Sequence, residues 1–160
     1  MTDTIEQDLL IVGSGLAGLR AAIQAAKTSS KIKIAVISKL QVMRSHSVSA
    51  EGGTAAVLFP EEGDSLESHV YDTVKGSDFL ADQDVVERLV HEMPSEIYQL
   101  EHWGMPWSRR EDGRIGQRKF GGYSFPRATY AQDKVGFMKC RLCMIPVKSL
   151  IILNFSTNGL

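Results

Sequence analysis

Six residues, Gly13-Ser14-Gly15-Leu16-Ala17-Gly18, lie between a short apolar run, Asp8 to Val12 (DLLIV), and a stretch of strong helix formers, LRAAIQAAK. GxGxxG at a strand-to-helix junction has specific physical uses. The first glycine permits a tight turn, the second lets backbone approach a pyrophosphate, and the third lets the helix pack on the strand. Amides at the helix N-terminus and the helix dipole then favour phosphate. After the polar turn TSSK comes a β-branched run, Ile32 to Ser38 (IKIAVIS). The first 40 residues therefore read as one βαβ unit with buried parallel strands, and the fold class as α/β, the N-terminal part of a Rossmann-like dinucleotide-binding domain. An NAD site would carry an acidic residue about 20 positions further on, for a ribose hydroxyl. The second strand ends in Ser38-Lys39 instead. NAD loses weight as the ligand, and Ser38 becomes the ribose-side candidate.

The rest of the chain fits a domain with its own core. It has 160 residues, 43% hydrophobic and 23% charged, with a formal net charge of −1. That balance argues against nucleic acid as a partner. The opening MTDTIEQDLLIV has no basic region and too short an apolar run for a signal or a span, so a cytoplasmic location is expected. DSLESHVYDTVKG, from Asp64, predicts a helix with Leu66, Val70 and Val74 on one face, stopping near Gly76. A second helix is expected from Asp84 to Met93, with Pro94 breaking it or opening the next turn, and SEIYQLEHWG continuing to a stop at Gly104. Asp112-Gly113 between extended arms signals a hairpin. Cys140 and Cys143 form a lone CxxC, a weak metal or redox signal, and no metal site is expected.

His46 stands in RSHSVSAEGGTAAV, Arg44 to Val57, among small residues and just before Gly52-Gly53. No second ligand at metal spacing accompanies it, and no base and acid mark a hydrolytic nucleophile. Ser45, Ser47, Ser49 and Ala50 keep side chains small, and the glycine pair permits close approach to a flat ring system. His69, His91 and His102 have no such setting and read as surface or partly buried helix residues.

This stretch resembles the flavin-attachment segment of the flavoprotein subunit of succinate dehydrogenase and fumarate reductase. The similarity continues through HVYDTVKGSDFLADQDVVERLV, LEHWGMPWSRREDGRI, QRKFGGYSFPRATYAQDK and GF, covering residues 7 to 137. The resemblance implies an FAD-binding domain with FAD bonded through its 8α-methyl to His46. It also implies that Gly13, Ser14, Gly15, Leu16, Ala17 and Gly18 hold the pyrophosphate, that Ser38 and Lys39 lie by the adenosine, and that Ser45, His46, Ser47, Ala50, Glu51, Gly52 and Gly53 line the isoalloxazine. Arg118, Lys119 and Phe120 fall in a segment that would face the flavin and a dicarboxylate, the plainer reading being a solvated basic turn. The implied activity interconverts succinate and fumarate, with electrons passing to an iron-sulfur subunit and on to quinone through membrane anchor subunits. These partners would hold the chain peripherally on the cytoplasmic face of the membrane. The nearest rival, L-aspartate oxidase, shares the fold but holds FAD without the histidyl bond; a nonenzymatic FAD-binding fragment is the alternative of a different class.

The resemblance also implies what residues 1–137 lack. The family's proton-transfer arginine and its carboxylate-clamping histidine and arginine belong to a capping domain and later segments, so no catalytic residue is assigned and this chain is expected to be inactive. Past Phe137 the similarity stops, and residues 138–160, MKCRLCMIPVKSLIILNFSTNGL, show no helical stripe. Back-translation of Phe137 to Lys148, read in the frame starting at each third codon position, permits GF(H/Y)EMQTLYDTSK, like the helix the family places there. Asn154 to Leu160 permits FFDEWF in the same frame. The expectation is an incomplete FAD-binding domain over 1–137 and an out-of-frame tail over 138–160.

Overall fold

The computed structural model describes residues 4–144 and the backbone of residues 150–154. The chain divides into two compact units, one of residues 1–50 with 136–160, the other of residues 51–135.

In the first unit, strand β1 (Leu9–Val12), helix α1 (Leu16–Thr28) and strand β2 (Ile34–Ser38) form the expected βαβ unit, with β1 and β2 parallel and Leu9 opposite Ile34. Ile34, Ala35 and Val36 of β2 are buried because strands flank both of its edges. Leu19, Ala22 and Ile23 of α1 are buried too, and Ala22 packs in one cluster with Ile34, Val36, Leu9 and Ile11. Each fully buried aliphatic side chain of this kind contributes about 2 kcal/mol. Strand β1 departs from the expectation of complete burial. Leu10 and Val12 are 56% and 79% exposed, because only the face carrying Leu9 and Ile11 packs on the core.

The tail also departs from its sequence reading. Helix α4 (Val135–Met144) runs across the point where the family-like sequence stops, although it lacks an apolar stripe, and β6 (Leu150–Asn154) pairs parallel with β2, Ile34 opposite Leu150. Helix α4 buries Cys140 and Cys143 as free thiols together with Lys139, while Phe137 stays 37% exposed. Burial pushes the Lys139 ammonium below its usual pKa, against the pull of Cys140 and Cys143. Residues 145–149 and 155–160, which carry part of the out-of-frame reading, lie outside the described residues.

The second unit is built on two helices and a small antiparallel sheet. Helix α2 (Leu66–Gly76) begins at Ser65, whose side chain accepts from the Ser68 amide, and α3 (Gln83–His102) begins at Asp82, which accepts from the Val85 amide. Val74, Val86 and Val90 form their shared core, with Leu66, Val70 and Ala81 packed against it. Pro94 lies inside α3 rather than ending it. Both halves are anchored, the first through Val86 and Val90, the second through buried Ile97, whose carbonyl accepts from the Trp107 indole at 3.3 Å. Tertiary packing on both sides of the proline outweighs the lost backbone bond. Gly104 closes the helix at φ +100°, as its sequence position predicts.

Strands β3 (Thr54–Ala55), β4 (Gln117–Arg118) and β5 (Ala128–Thr129) form the sheet in the order β3-β5-β4. The expected hairpin is present. Arg109 pairs with Ile115, the Gly113 amide donates to the Arg110 carbonyl at 3.0 Å, and Gly113 takes φ +82°.

Candidate functional site

The glycine turn of the first unit is formed by mutual fit of backbone. Gly13 takes φ +111° and its amide donates to the Ile37 carbonyl at 2.8 Å, tying the turn to the end of β2. A side chain at Gly18 would overlap the Gly13 carbonyl oxygen, so only glycine lets α1 approach the turn this closely. Where a side chain on Gly13 would project there is open space. Helix α1 starts at Gly15 without a side-chain cap and with no acidic residue in its first turn, so its positive end faces no carboxylate of its own. The turn, the open cradle and the uncapped amides fit a dinucleotide pyrophosphate.

Two serine contacts, not foreseen from the sequence, organise this end of the unit. The buried Ser14 hydroxyl donates to the Ser38 hydroxyl at 2.7 Å, linking the glycine turn to the expected ribose-side residue. The Leu16 amide donates to the Ser47 hydroxyl at 3.1 Å, joining the α1 N-terminus to the turn that carries His46. Leu16 and Gly18 are half-buried, Ala17 is exposed, and Lys39 is exposed beyond the end of β2.

His46 occupies an exposed position at the start of a 3-10 turn, His46–Ser49, following a first such turn, Val42–Arg44. The backing of this turn is buried. Val42 is 2% exposed, and the Ser45 hydroxyl is enclosed beside the Cys140 thiol. Burial pushes the Cys140 thiol up, with the Ser45 hydroxyl and Lys139 offsetting part of that. The Gly136 amide donates to the Ala50 carbonyl at 2.8 Å, and a side chain at Gly136 would overlap the Ser47 carbonyl oxygen. A glycine at the start of α4 is therefore needed for the His46 turn to sit where it does, and DKVGF is the sequence signal that marks it.

Glu51, Gly52 and Gly53 belong to the second unit and are described within it. A side chain at Gly52 would start 3.1 Å from the Phe120 ring, and one at Gly53, φ +112°, would start 2.7 Å from the Thr129 carbonyl oxygen. The space these glycines provide is thus shared with the protein's own ring and backbone, a use the sequence did not reveal. Arg118 donates to the Glu51 and Gly52 carbonyls at 3.2 and 3.3 Å and stacks on Tyr130. Lys119 and Phe120 are exposed.

The most heavily charged buried cluster was not singled out from sequence. Arg127, fully buried, forms a bidentate pair with Asp64 at 2.8 and 2.6 Å and bonds Asp72 at 2.6 Å. The partners lie 63 and 55 positions away, so no local pattern announces them. His69 is 3% exposed, more deeply buried than a surface or partly buried residue.

A parallel βαβ unit with this glycine turn defines a Rossmann-like dinucleotide-binding protein. The FAD binding domain family matches residues 8–146, and the chain belongs to that family. The chain is 55% identical over 134 residues to the fumarate reductase flavoprotein subunit of Escherichia coli (strain K12), covering 84% of this chain and 22% of that protein. It is 51% identical over 119 residues to the succinate dehydrogenase flavoprotein subunit of Coxiella burnetii, 74% of this chain and 20% of that one. Among solved structures, a quinol fumarate reductase variant of E. coli superimposes with a TM-score of 0.88 at 47% identity, covering 96% of this chain and 26% of that chain. The resemblance to this flavoprotein group is therefore borne out, and the chain spans about a fifth of the length of these curated relatives. Among the described residues no helix is long and apolar enough to cross a membrane.

Proposed function

We propose that this chain is the FAD-holding first part of a flavoprotein subunit that interconverts succinate and fumarate and passes electrons to an iron-sulfur subunit and then to quinone. The observation that carries this reading is the joined geometry of the first unit, in which the Ser47 hydroxyl ties the glycine turn at Leu16 to the turn that presents His46. Gly13 to Gly18 would hold the pyrophosphate, Ser38 and Lys39 the adenosine side, and Ser45, Ser47, Ala50, Glu51, Gly52 and Gly53 the ring side, with His46 bonded to the flavin 8α-methyl. FAD supplies the two-electron chemistry when bound. This chain's own part would be to hold and orient it: uncapped backbone amides at the α1 N-terminus would take the phosphate charge, and the exposed imidazole of His46 would take the flavin methyl.

Proton transfer and carboxylate clamping lie outside the residues assigned here, so the 160-residue chain is inactive by itself. Membrane association, on the cytoplasmic face, comes through partner subunits. Residues 138–160 are read out of frame, a proposal supported by the burial of Lys139 on α4 while Phe137 is left exposed. The test is to extend the gene in frame to the length of its relatives and assay succinate oxidation with a dye and fumarate reduction with reduced viologen. Turnover by the extended protein and none by the 160-residue chain is expected. Turnover by the short chain would overturn the site assignment, and failure of the extended protein with both acceptors would overturn the function. Resequencing across codons 137 to 160 decides the frame: an indel or a corrected base there is expected, and unaltered sequence with no family-like coding downstream would refute the out-of-frame tail.

A further inference from the structure

Segment 119–126 connects β4 to β5 in the second unit and is fastened at both ends. At its start, Arg118 holds the Glu51 and Gly52 carbonyls, and the Phe120 ring covers Gly52. At its far end, Asp72 of α2 accepts from both the amide and the hydroxyl of Ser124 at 2.8 Å. Arg127 follows directly. Its guanidinium is enclosed by Asp64, Asp72 and the Ser68 hydroxyl, and flanked by the rings of Tyr123 and Phe125 at 6.0 and 5.7 Å. Its carbonyl accepts from the Ala56 amide and the Gln117 side chain. A buried ion pair of this quality is costly to break, because any partner left behind is an unpaired charge in a poorly solvated place.

His69 lies on α2 one turn before Asp72, and its ring meets Tyr123 edge-on at 5.8 Å. It is almost fully buried, and its Nδ1 has no hydrogen-bond partner among the described residues. A neutral imidazole is tolerated there. An imidazolium would bring a second cation near Arg127 and an Nδ1 proton with no acceptor.

We propose that Arg127, gripped by Asp64 and Asp72, latches segment 119–126 onto α2, and that protonation of His69 opens the latch, giving this unit a built-in response to acid. The charged and titratable groups facing His69 are Arg127 beside β5, Asp64 and Asp72 at α2, and Tyr123 of the segment itself. Burial first, and then Arg127, push the His69 pKa below its usual value, while Asp64 and Asp72 pull it up. The closed state thus binds fewer protons than the open one, and lowering the pH favours opening. Burial acts to raise the Asp72 pKa, but the Ser124 amide, Arg127 and the Ser124 hydroxyl outweigh it, so Asp72 stays a carboxylate over the pH range in which His69 titrates. The latch goes beyond the assigned cofactor role and does not depend on it. Where that role holds, opening moves Phe120 off Gly52.

The experiment uses the 160-residue chain in solution. Hydrogen exchange of the Ser124 amide, corrected for intrinsic rate, and the ring signals of His69 are followed by NMR between about pH 5 and pH 8. The expected result is a His69 midpoint below the ordinary imidazole value, and a Ser124 protection that falls about tenfold per pH unit below about 6.5 until His69 is protonated. The Val90 amide, within α3, should keep its protection. His69→Gln should remove the pH dependence and leave Ser124 protected, and Arg127→Lys should lower protection at every pH. Protection of Ser124 that stays level while His69 takes its proton would overturn the proposal, as would a His69 midpoint at or above the ordinary imidazole value of about 6.5. If His69→Gln does not fold, the comparison of His69 titration with Ser124 protection in the unsubstituted chain decides the matter alone.

Discussion

Each of the two units is stabilised internally by different physics. The first unit builds its glycine turn from backbone: a left-handed Gly13, a Gly18 flush against the Gly13 carbonyl, and α1 amides with no acidic residue in the helix's first turn. The second relies on side chains, with a fully buried arginine, two aspartates, a buried histidine and an indole bonded to a helix carbonyl. A site built from backbone tolerates change at many positions and none at a few. A site built from charged side chains depends on every partner being present.

Arg127→Met should have the largest effect on stability, about 4 kcal/mol, because it strands Asp64 and Asp72 in a protein environment. Urea unfolding followed by tryptophan fluorescence reads this directly, since Trp103 and Trp107 both belong to the second unit. A loss under about 1 kcal/mol would mean the cluster is as weak as a surface pair, and the contrast between the units would fail. Gly18→Val comes next, at about 3 kcal/mol, through overlap with the Gly13 backbone; circular dichroism in urea checks it.

Acid should separate the units further. His69 has a lowered folded pKa, so its neutral burial costs stability as pH falls below about 6.5, the unfolded chain taking up the proton first. Asp72, also lowered, contributes stability that is present above about 3.9 and is lost as pH falls through its folded value. Two successive losses in the tryptophan signal are expected on acidification, and His69→Gln should remove only the first.

How much of this was legible in the sequence follows the same division. The βαβ unit and the glycine turn were legible because their signals are local, a few residues of fixed spacing whose steric need can be stated without the rest of the chain. The Asp112-Gly113 hairpin and the Gly104 stop were legible for the same reason. Continuity of α3 through Pro94 was not, because it depends on Ile97 and Val90 each finding a core that sequence spacing alone does not place. Nor was the Arg127 cluster, whose partners are brought in from 55 and 63 positions away. Helix α4 was missed because its residues give no stripe; Lys139 on its buried side is what an apolar-pattern reading rejects.

That buried lysine allows a smaller test. Its lowered pKa means the unfolded chain binds the proton more readily, so Lys139 subtracts stability at neutral pH, and the deficit shrinks as pH rises towards the unfolded value. Lys139→Met should therefore stabilise the chain, by about 1 kcal/mol in urea unfolding at neutral pH. Destabilisation instead would mean that the lysine is native to this position and would weaken the out-of-frame proposal. Smallest of all, Arg88→Ala should leave the urea midpoint almost unchanged, since its pair with Glu92 is exposed on α3 and screened by solvent.

In the proposed function the first unit grips FAD, and the imidazole of His46 forms the far end of that grip. The most direct measurement is the flavin colour of acid-precipitated protein, made from the gene extended in frame, with and without His46→Ser. A yellow pellet is expected from the unsubstituted protein and a colourless one, with FAD released to the supernatant, from the variant. A colourless pellet from the unsubstituted protein would contradict the covalent assignment and favour a flavoprotein of the L-aspartate oxidase kind, while a yellow pellet from His46→Ser would place the bond on another residue.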